Sequence, residues 1–141
     1  MGVEVYWAAL ESLDADLIAA QFAAGGSFQL ASASPLTGRV AIRRAFRDLF
    51  LDLESIWRRP ASFWGRSGLS VCDSDLTLSF TDGTRLNFIA TTVLWTRGGE
   101  IVKCRVVTDL EPRLARYFAA DAFCRANSSL NSLSLVSMYA R

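Results

Sequence analysis

Hydrophobic periodicity changes abruptly after Leu53. Before it, Ile42, Ala45, Phe46, Leu49, Phe50 and Leu53 recur three or four residues apart, the pattern of an amphipathic helix with one buried stripe. Beyond it the period is two: Leu76, Leu78 and Phe80 alternate with Asp75, Thr77 and Ser79. Asp82-Gly83 predicts a hairpin turn, Arg85 to Trp95 the return strand, and Gly98-Gly99 a second turn into Ile101 to Asp109. Three long strands joined by tight turns make an antiparallel meander. Such a sheet has one apolar face that must be covered, and the long covering elements lie ahead of it in the chain. The class is therefore α+β, with helices on one side of the sheet.

The flanking segments fit that plan. Val3, Tyr6, Trp7 and Leu10 predict a short first helix ending near Leu13, and Asp14 is a candidate N-cap for a second. Leu17, Ile18, Ala20 and Phe22 supply the apolar positions of that second helix, which Gly25-Gly26 is expected to stop. Ser27 to Leu30 reads as a short strand and Ser32 to Gly38 as a loop. Ile56 to Trp64 is a further strand, where Pro60 marks an edge or a bulge. Pro112 opens a last helix with Leu114, Tyr117 and Phe118 on one side. The expected organisation is one domain over residues 1–126 and a Ser- and Asn-rich tail over 127–141 whose leucines suit packing as well as flexibility. A strongly curved sheet closing on the long helix would form a cone-shaped barrel with a cavity open at one end, a place where pockets form.

Composition removes several functional classes. The 141 residues are 51% hydrophobic and 21% charged, which argues against disorder. Fifteen Lys and Arg against fourteen Asp and Glu leave a net charge of +1, so no basic field for nucleic acid is expected. There is no histidine, which excludes Ser-His-Asp and Cys-His catalysis and His-ligated metal sites. Cys72, Cys104 and Cys124 are odd in number and lack a CxxC pair, so reduced core thiols are expected. No apolar run reaches the roughly 18 residues of a membrane span. Glu4 in an N-terminus without a basic start is unlike a signal peptide, which makes cytoplasm the expected location. Arg39, Arg43, Arg44 and Arg47 lie mostly opposite the apolar stripe of the long helix and are read as a solvated face.

Several segments together resemble a known family. Tyr6-Trp7-Ala8-Ala9-Leu10 and Asp14 to Phe22 are similar to its opening two-helix pattern. Pro35-Leu36-Thr37-Gly38-Arg39 running into Ala41-Ile42-Arg43 is similar to its loop, glycine and helix start. Asp82-Gly83, Gly99-Glu100-Ile101 and Val107-Thr108-Asp109-Leu110 resemble its two hairpins and its strand-terminal aspartate. The collinear match from Glu4 to about Tyr117 resembles the SnoaL-like branch of the nuclear transport factor 2-like superfamily. The resemblance implies a cystatin-like α+β cone that commonly forms a homodimer through its outer sheet face. That superfamily hosts polyketide cyclases, ketosteroid isomerases, dehydratases, epoxide hydrolases and non-catalytic modules, so fold leaves activity open.

The family chemistries can be tested residue by residue. For ketosteroid isomerase chemistry, Tyr6 matches the donor tyrosine, but Leu30 stands near the base position and Thr91 near the second donor. The dehydratase type relies on histidines. The epoxide hydrolase type needs an Arg-x-Asp that Leu86-Asn87-Phe88-Ile89-Ala90 lacks. Polyketide-cyclase-like proton abstraction asks least: the resemblance offers Asp109 as base, with Tyr6 and Asn87 donating to an enolate oxygen. Strict alternation weakens this reading. It turns Val102, Cys104, Val106 and Thr108 inward and points Asp109 outward beside Arg105. Placing Thr91 inside carries Asn87, Ile89, Val93 and Trp95 with it and leaves Phe88 and Leu94 on the outer face for a dimer partner. Phe28, Phe46, Trp57, Phe63 and Trp64 suggest an aromatic cavity, with Thr91 and Cys104 on its wall. The sequence thus predicts a cofactor-independent binder of a small hydrophobic or aromatic molecule, with cyclase- or isomerase-type activity if Asp109 faces the cavity. The alternative is a non-catalytic dimeric module that binds a ligand or a protein.

Overall fold

The computed structural model describes residues 3–109 and 111–118. The elements are α1 (Val3–Glu11), α2 (Ala15–Ala20), β1 (Phe22–Leu30), β2 (Leu36–Thr37), α3 (Arg39–Leu51), β3 (Leu53–Arg66), β4 (Leu69–Phe80), β5 (Arg85–Arg97), β6 (Glu100–Val107) and α4 (Pro112–Phe118). Six strands form one sheet in the order β2-β1-β6-β5-β4-β3. β3 to β6 are the antiparallel meander. β1 joins it in parallel through β6, pairing Phe28 with Cys104 and Leu30 with Val106. The fold class is α+β, as the change of period requires. Among the described residues no helix is long and apolar enough to cross a membrane.

Local chemistry explains most boundaries. The Asp14 carboxylate accepts from the Leu17 backbone N–H at 3.0 Å, the expected N-cap of α2. Gly38 precedes α3 with φ +94°, a conformation that favours glycine. On α3, Ile42, Ala45, Phe46, Leu49 and Phe50 are buried against the sheet. Its arginines form a solvated face: Arg39 pairs with Glu100 at 3.1 Å and Arg43 with Asp16 at 3.6 Å. β3 is an edge strand whose register breaks between Pro60 and Ser62, so the proline sits where the ladder is already interrupted.

The expected helix stop at Gly25-Gly26 is corrected. α2 ends at Ala20, and β1 begins at Phe22, which is fully buried. Gly26 serves close packing instead: a Cβ there would lie 2.8 Å from the Ile101 carbonyl oxygen on β6.

Strand parity needs a second correction. Leu76, Leu78 and Phe80 fix the inward face of β4, and residues paired across a ladder point the same way. Cys72 pairs with Thr92, Ser74 with Ala90 and Leu76 with Phe88. Ala90, Thr92 and Leu94 are therefore buried, and Phe88 is turned toward the core. Asn87, Ile89, Thr91, Val93 and Trp95 share the opposite face with Asp73 and Asp75. The sequence reading of β5 was out by one residue, which exchanges its two faces. On β6 a register shift opposite Trp95 and Thr96 buries Ile101 in place of Val102, while Cys104 and Val106 stay inside as expected.

Candidate functional site

The concave face of the sheet, α1, α3 and α4 meet around one apolar space. Helical spacing on α1 turns Tyr6, Trp7 and Leu10 into it. β1 and α3 contribute Phe28 and Phe46, whose rings meet edge to face at 5.0 Å. α4 closes that side: the Phe118 ring lies 5.0 Å from Phe46 and 5.1 Å from Phe28, and Leu114 lies one turn earlier. These rings fill most of the cone and leave a cavity of about 60 Å³. That exceeds the ~10–15 Å³ one water requires and falls far below the roughly 300–1,000 Å³ of a drug-sized pocket. The space is small because aromatic side chains from three elements converge on it.

Among the described residues the cavity wall carries no carboxylate. Its polar groups are Tyr6, Trp7 and Thr92. The Tyr6 hydroxyl accepts only a weak contact from the Cys104 thiol at 4.0 Å. Burial pushes the Tyr6 phenol well above its ordinary range and the Cys104 thiol up to about 12, so both are neutral at pH 7. The Trp7 ring lies 4.3 Å beneath the Arg58 guanidinium, which also meets Glu11 at 3.3 Å. The Trp7 indole N–H is buried without a hydrogen-bond partner among the described residues.

The site residues expected from sequence divide into two groups. Tyr6, Phe28, Phe46 and Cys104 lie together in the core. Asp109, Asn87, Thr91, Trp57 and Trp64 do not. Asp109 is exposed and lies with Asn87 in an open groove of about 790 Å³ at the far end of β5 and β6. Asn87 is exposed on the outer face, where its amide donates to Asp75 at 2.9 Å and Thr77 at 2.8 Å. Thr91 donates to Asp73 on the same face. Trp57 pairs with Thr77 and Trp64 with Val71 on the outward side of β3, and they are 56% and 50% exposed. Asn87, Thr91, Trp57 and Trp64 miss the cavity through the parity of the strands that bear them, and Asp109 lies beyond the end of β6. No Asp109–Arg105 ion pair forms among the described residues. Sequence reading missed Trp7, Thr92, Leu114 and Phe118 as lining residues; the apolar side of the Pro112 helix was the available signal for the last two.

A polar clamp holds α4 in place. Arg113 donates to Asp82 at 3.0 Å and to Thr84, and its guanidinium lies 3.6 Å over the Phe80 ring. Tyr117 donates to Asp52. Bonds from the Thr84 hydroxyl and backbone, with Arg113 beside them, hold the Asp82 carboxyl down at about 2.

No protein-family model matches the sequence, and none of the curated proteins does. Solved structures match the fold. A Mycobacterium tuberculosis LEH-like epoxide hydrolase is 16% identical, with a TM-score of 0.67 over 91% of this chain and 90% of that one. A Catenulispora acidiphila protein of ketosteroid isomerase-like fold, solved in complex with trimethylamine, is 20% identical, with a TM-score of 0.66 over 74% and 82%. The epoxide hydrolase/cyclase-like enzyme SalBIII of salinomycin pyran-ring formation is 18% identical, with a TM-score of 0.67 over 77% and 88%. Cystatin-fold and nuclear transport factor 2-like structures of unknown function match equally well. The fold is that of the nuclear transport factor 2-like and ketosteroid isomerase-like proteins; identities this low carry the fold alone.

Proposed function

We propose that this chain is a binding module that takes a small, neutral, largely apolar molecule into the cavity between α1, α3, α4 and the sheet. One observation carries the reading: the cavity is walled by aliphatic and aromatic side chains with only uncharged polar groups among them. An apolar molecule entering it gains burial at roughly 25 cal/mol per Å². The size suits a molecule of a few heavy atoms better than a multi-ring substrate. A carboxylate base is absent from the wall, and Asp109 opens to solvent, so proton abstraction inside the cavity has no agent among the described residues. Saturable binding of cyclopentane or benzene, followed by thermal unfolding and by indole N–H signals, tests the reading. A linear, unsaturable response to every small probe refutes it.

We also propose a homodimer through the outer sheet face. Ile89 is 71% exposed there, and Trp57, Trp64 and Val107 add apolar surface. The same face carries Asp73 and Asp75 on β4 and Lys103 and Arg105 on β6, a mixture that a two-fold-related copy can match. Sedimentation of the wild type against Ile89→Glu decides it: a dimer that becomes a monomer supports the interface, and a wild-type monomer at micromolar concentration removes it.

A further inference from the structure

We infer that a ligand reaches the cavity through a notch in the sheet beside β5, and that the Phe88 side chain is the gate between that notch and the cavity. The inference rests on the cavity being a binding site and adds the route into it.

The notch follows from unequal strand lengths. Along one edge β5 is paired with β4 from Trp95 down to Arg85. Along its other edge the pairing with β6 stops at Thr91 and Val107. Arg85 to Ala90 therefore have no strand beside them on that edge among the described residues. The Thr108 hydroxyl donates to the Ile89 carbonyl oxygen at 2.8 Å where the ladder has ended. The open groove of about 790 Å³ runs along this bare edge. An edge groove opens between the two faces of a sheet, and here Phe88 is turned toward the core and Ile89 toward the outside.

The cavity is closed on its other sides. Tyr6, Trp7, Phe28, Phe46, Leu114 and Phe118 are all buried, whereas Phe88 is the half-buried residue of the wall. Among the described residues Phe88 alone borders both the cavity and the groove. An opening at α4 would instead withdraw Phe118 from between Phe28 and Phe46. It would also break the bonds from Arg113 to Asp82 and from Tyr117 to Asp52. Rotation of the Phe88 ring breaks no hydrogen bond and leaves the β5 backbone where β4 holds it. A side-chain rotation of this kind is fast beside the motion of a whole helix. The ring is the smallest piece of the wall whose displacement joins the two spaces.

Exchange NMR of benzene measures the rates of entry and exit directly. Phe88→Ala is expected to raise the association and dissociation rate constants together by about tenfold, with the dissociation constant within about threefold of wild type, as removal of a gate requires. A second variant obstructs the notch from outside. Asp109 is exposed and lines the groove, so Asp109→Cys, in a chain carrying Cys124→Ser, can be labelled with a bulky maleimide while Cys72 and Cys104 stay buried. The label should slow both rates by about tenfold and leave the dissociation constant within about threefold, a readout that stands even if Phe88→Ala fails to fold. An association rate unchanged by the Phe88 substitution, or rates indifferent to the label, overturn the entrance and leave the cavity reading intact. Failure of benzene to bind the wild type overturns the cavity reading, and this inference with it.

Discussion

Replacing Phe28 by alanine tests the aromatic cluster on which the whole interior depends. Phe28 is 2% exposed and is held between Phe46 at 5.0 Å and Phe118 at 5.1 Å. Losing the buried ring forfeits about 1.5–3 kcal/mol of transfer energy. The void it leaves adds to that, and Phe-to-Ala changes in cores cost roughly 3–5 kcal/mol in total. The site is poorly able to collapse, because Phe28 sits on β1 inside the sheet and its neighbours already border the existing space. We therefore expect about 4 kcal/mol, equivalent to a melting temperature lower by roughly 10–15 °C for a domain of this size. Urea unfolding with a fixed slope measures the first value and calorimetry the second. The enlarged void should then bind benzene more tightly than the wild-type cavity does, and benzene at 100 times its dissociation constant should return about 2.7 kcal/mol. A loss below about 1.5 kcal/mol, or no recovery with benzene, would falsify the view that these rings form a close-packed wall around a cavity.

Other outcomes follow from residues outside that cluster. Asp109→Asn should change stability by less than about 0.5 kcal/mol and cavity binding by less than twofold, measured by urea unfolding and titration; a tenfold loss of binding would restore a role for this carboxylate. The Asp82 carboxyl titrates near 2 in the folded chain, below its ordinary 3.8, so its contribution is present above about pH 4 and is lost as pH falls toward 2. Asp82→Asn should flatten that acid limb, and the wild-type and variant stability curves should converge below about pH 2; curves that stay parallel argue against the clamp. The Cys104 thiol, buried and pushed up to about 12, should resist alkylation at pH 8 until the chain is unfolded, as mass spectrometry of the tryptic peptide can show.

Much of the architecture could be read from residue pattern because that pattern is carried by many positions at once. The alternation of Leu76, Leu78 and Phe80 and the Asp82-Gly83 turn define the β4–β5 hairpin with no tertiary information. The Asp14 cap and the apolar stripe of α3 were equally local. The site was less legible, because it depends on single-residue parity. β5 contains Ile89, Val93 and Trp95 on one face and Phe88 and Leu94 on the other, so neither face is plainly the polar one. Only its register against β4 decides, and a likeness that set Thr91 inside moved Asn87 with it. Tyr6, Phe28 and Phe46 were found because each lies on an element whose buried side is unambiguous. Trp57 and Trp64 illustrate the reverse: large rings that composition assigns to a core stand instead on the outside of an edge strand. The expected tail over residues 127–141 lies outside the described residues.

The parallel pairing of β1 with β6 has a consequence for biosynthesis. Phe28 meets Cys104 and Leu30 meets Val106, so β1, which pairs locally with the short β2 along one edge, waits for the last strand before the backbone groups of its other edge find partners. The β3–β4 and β4–β5 hairpins, by contrast, can zip up as soon as each clears the ribosome. During translation the β6-facing edge of the segment containing Phe22 and Phe28 stays open while the meander assembles, and the final strand then seals the sheet in a single late step.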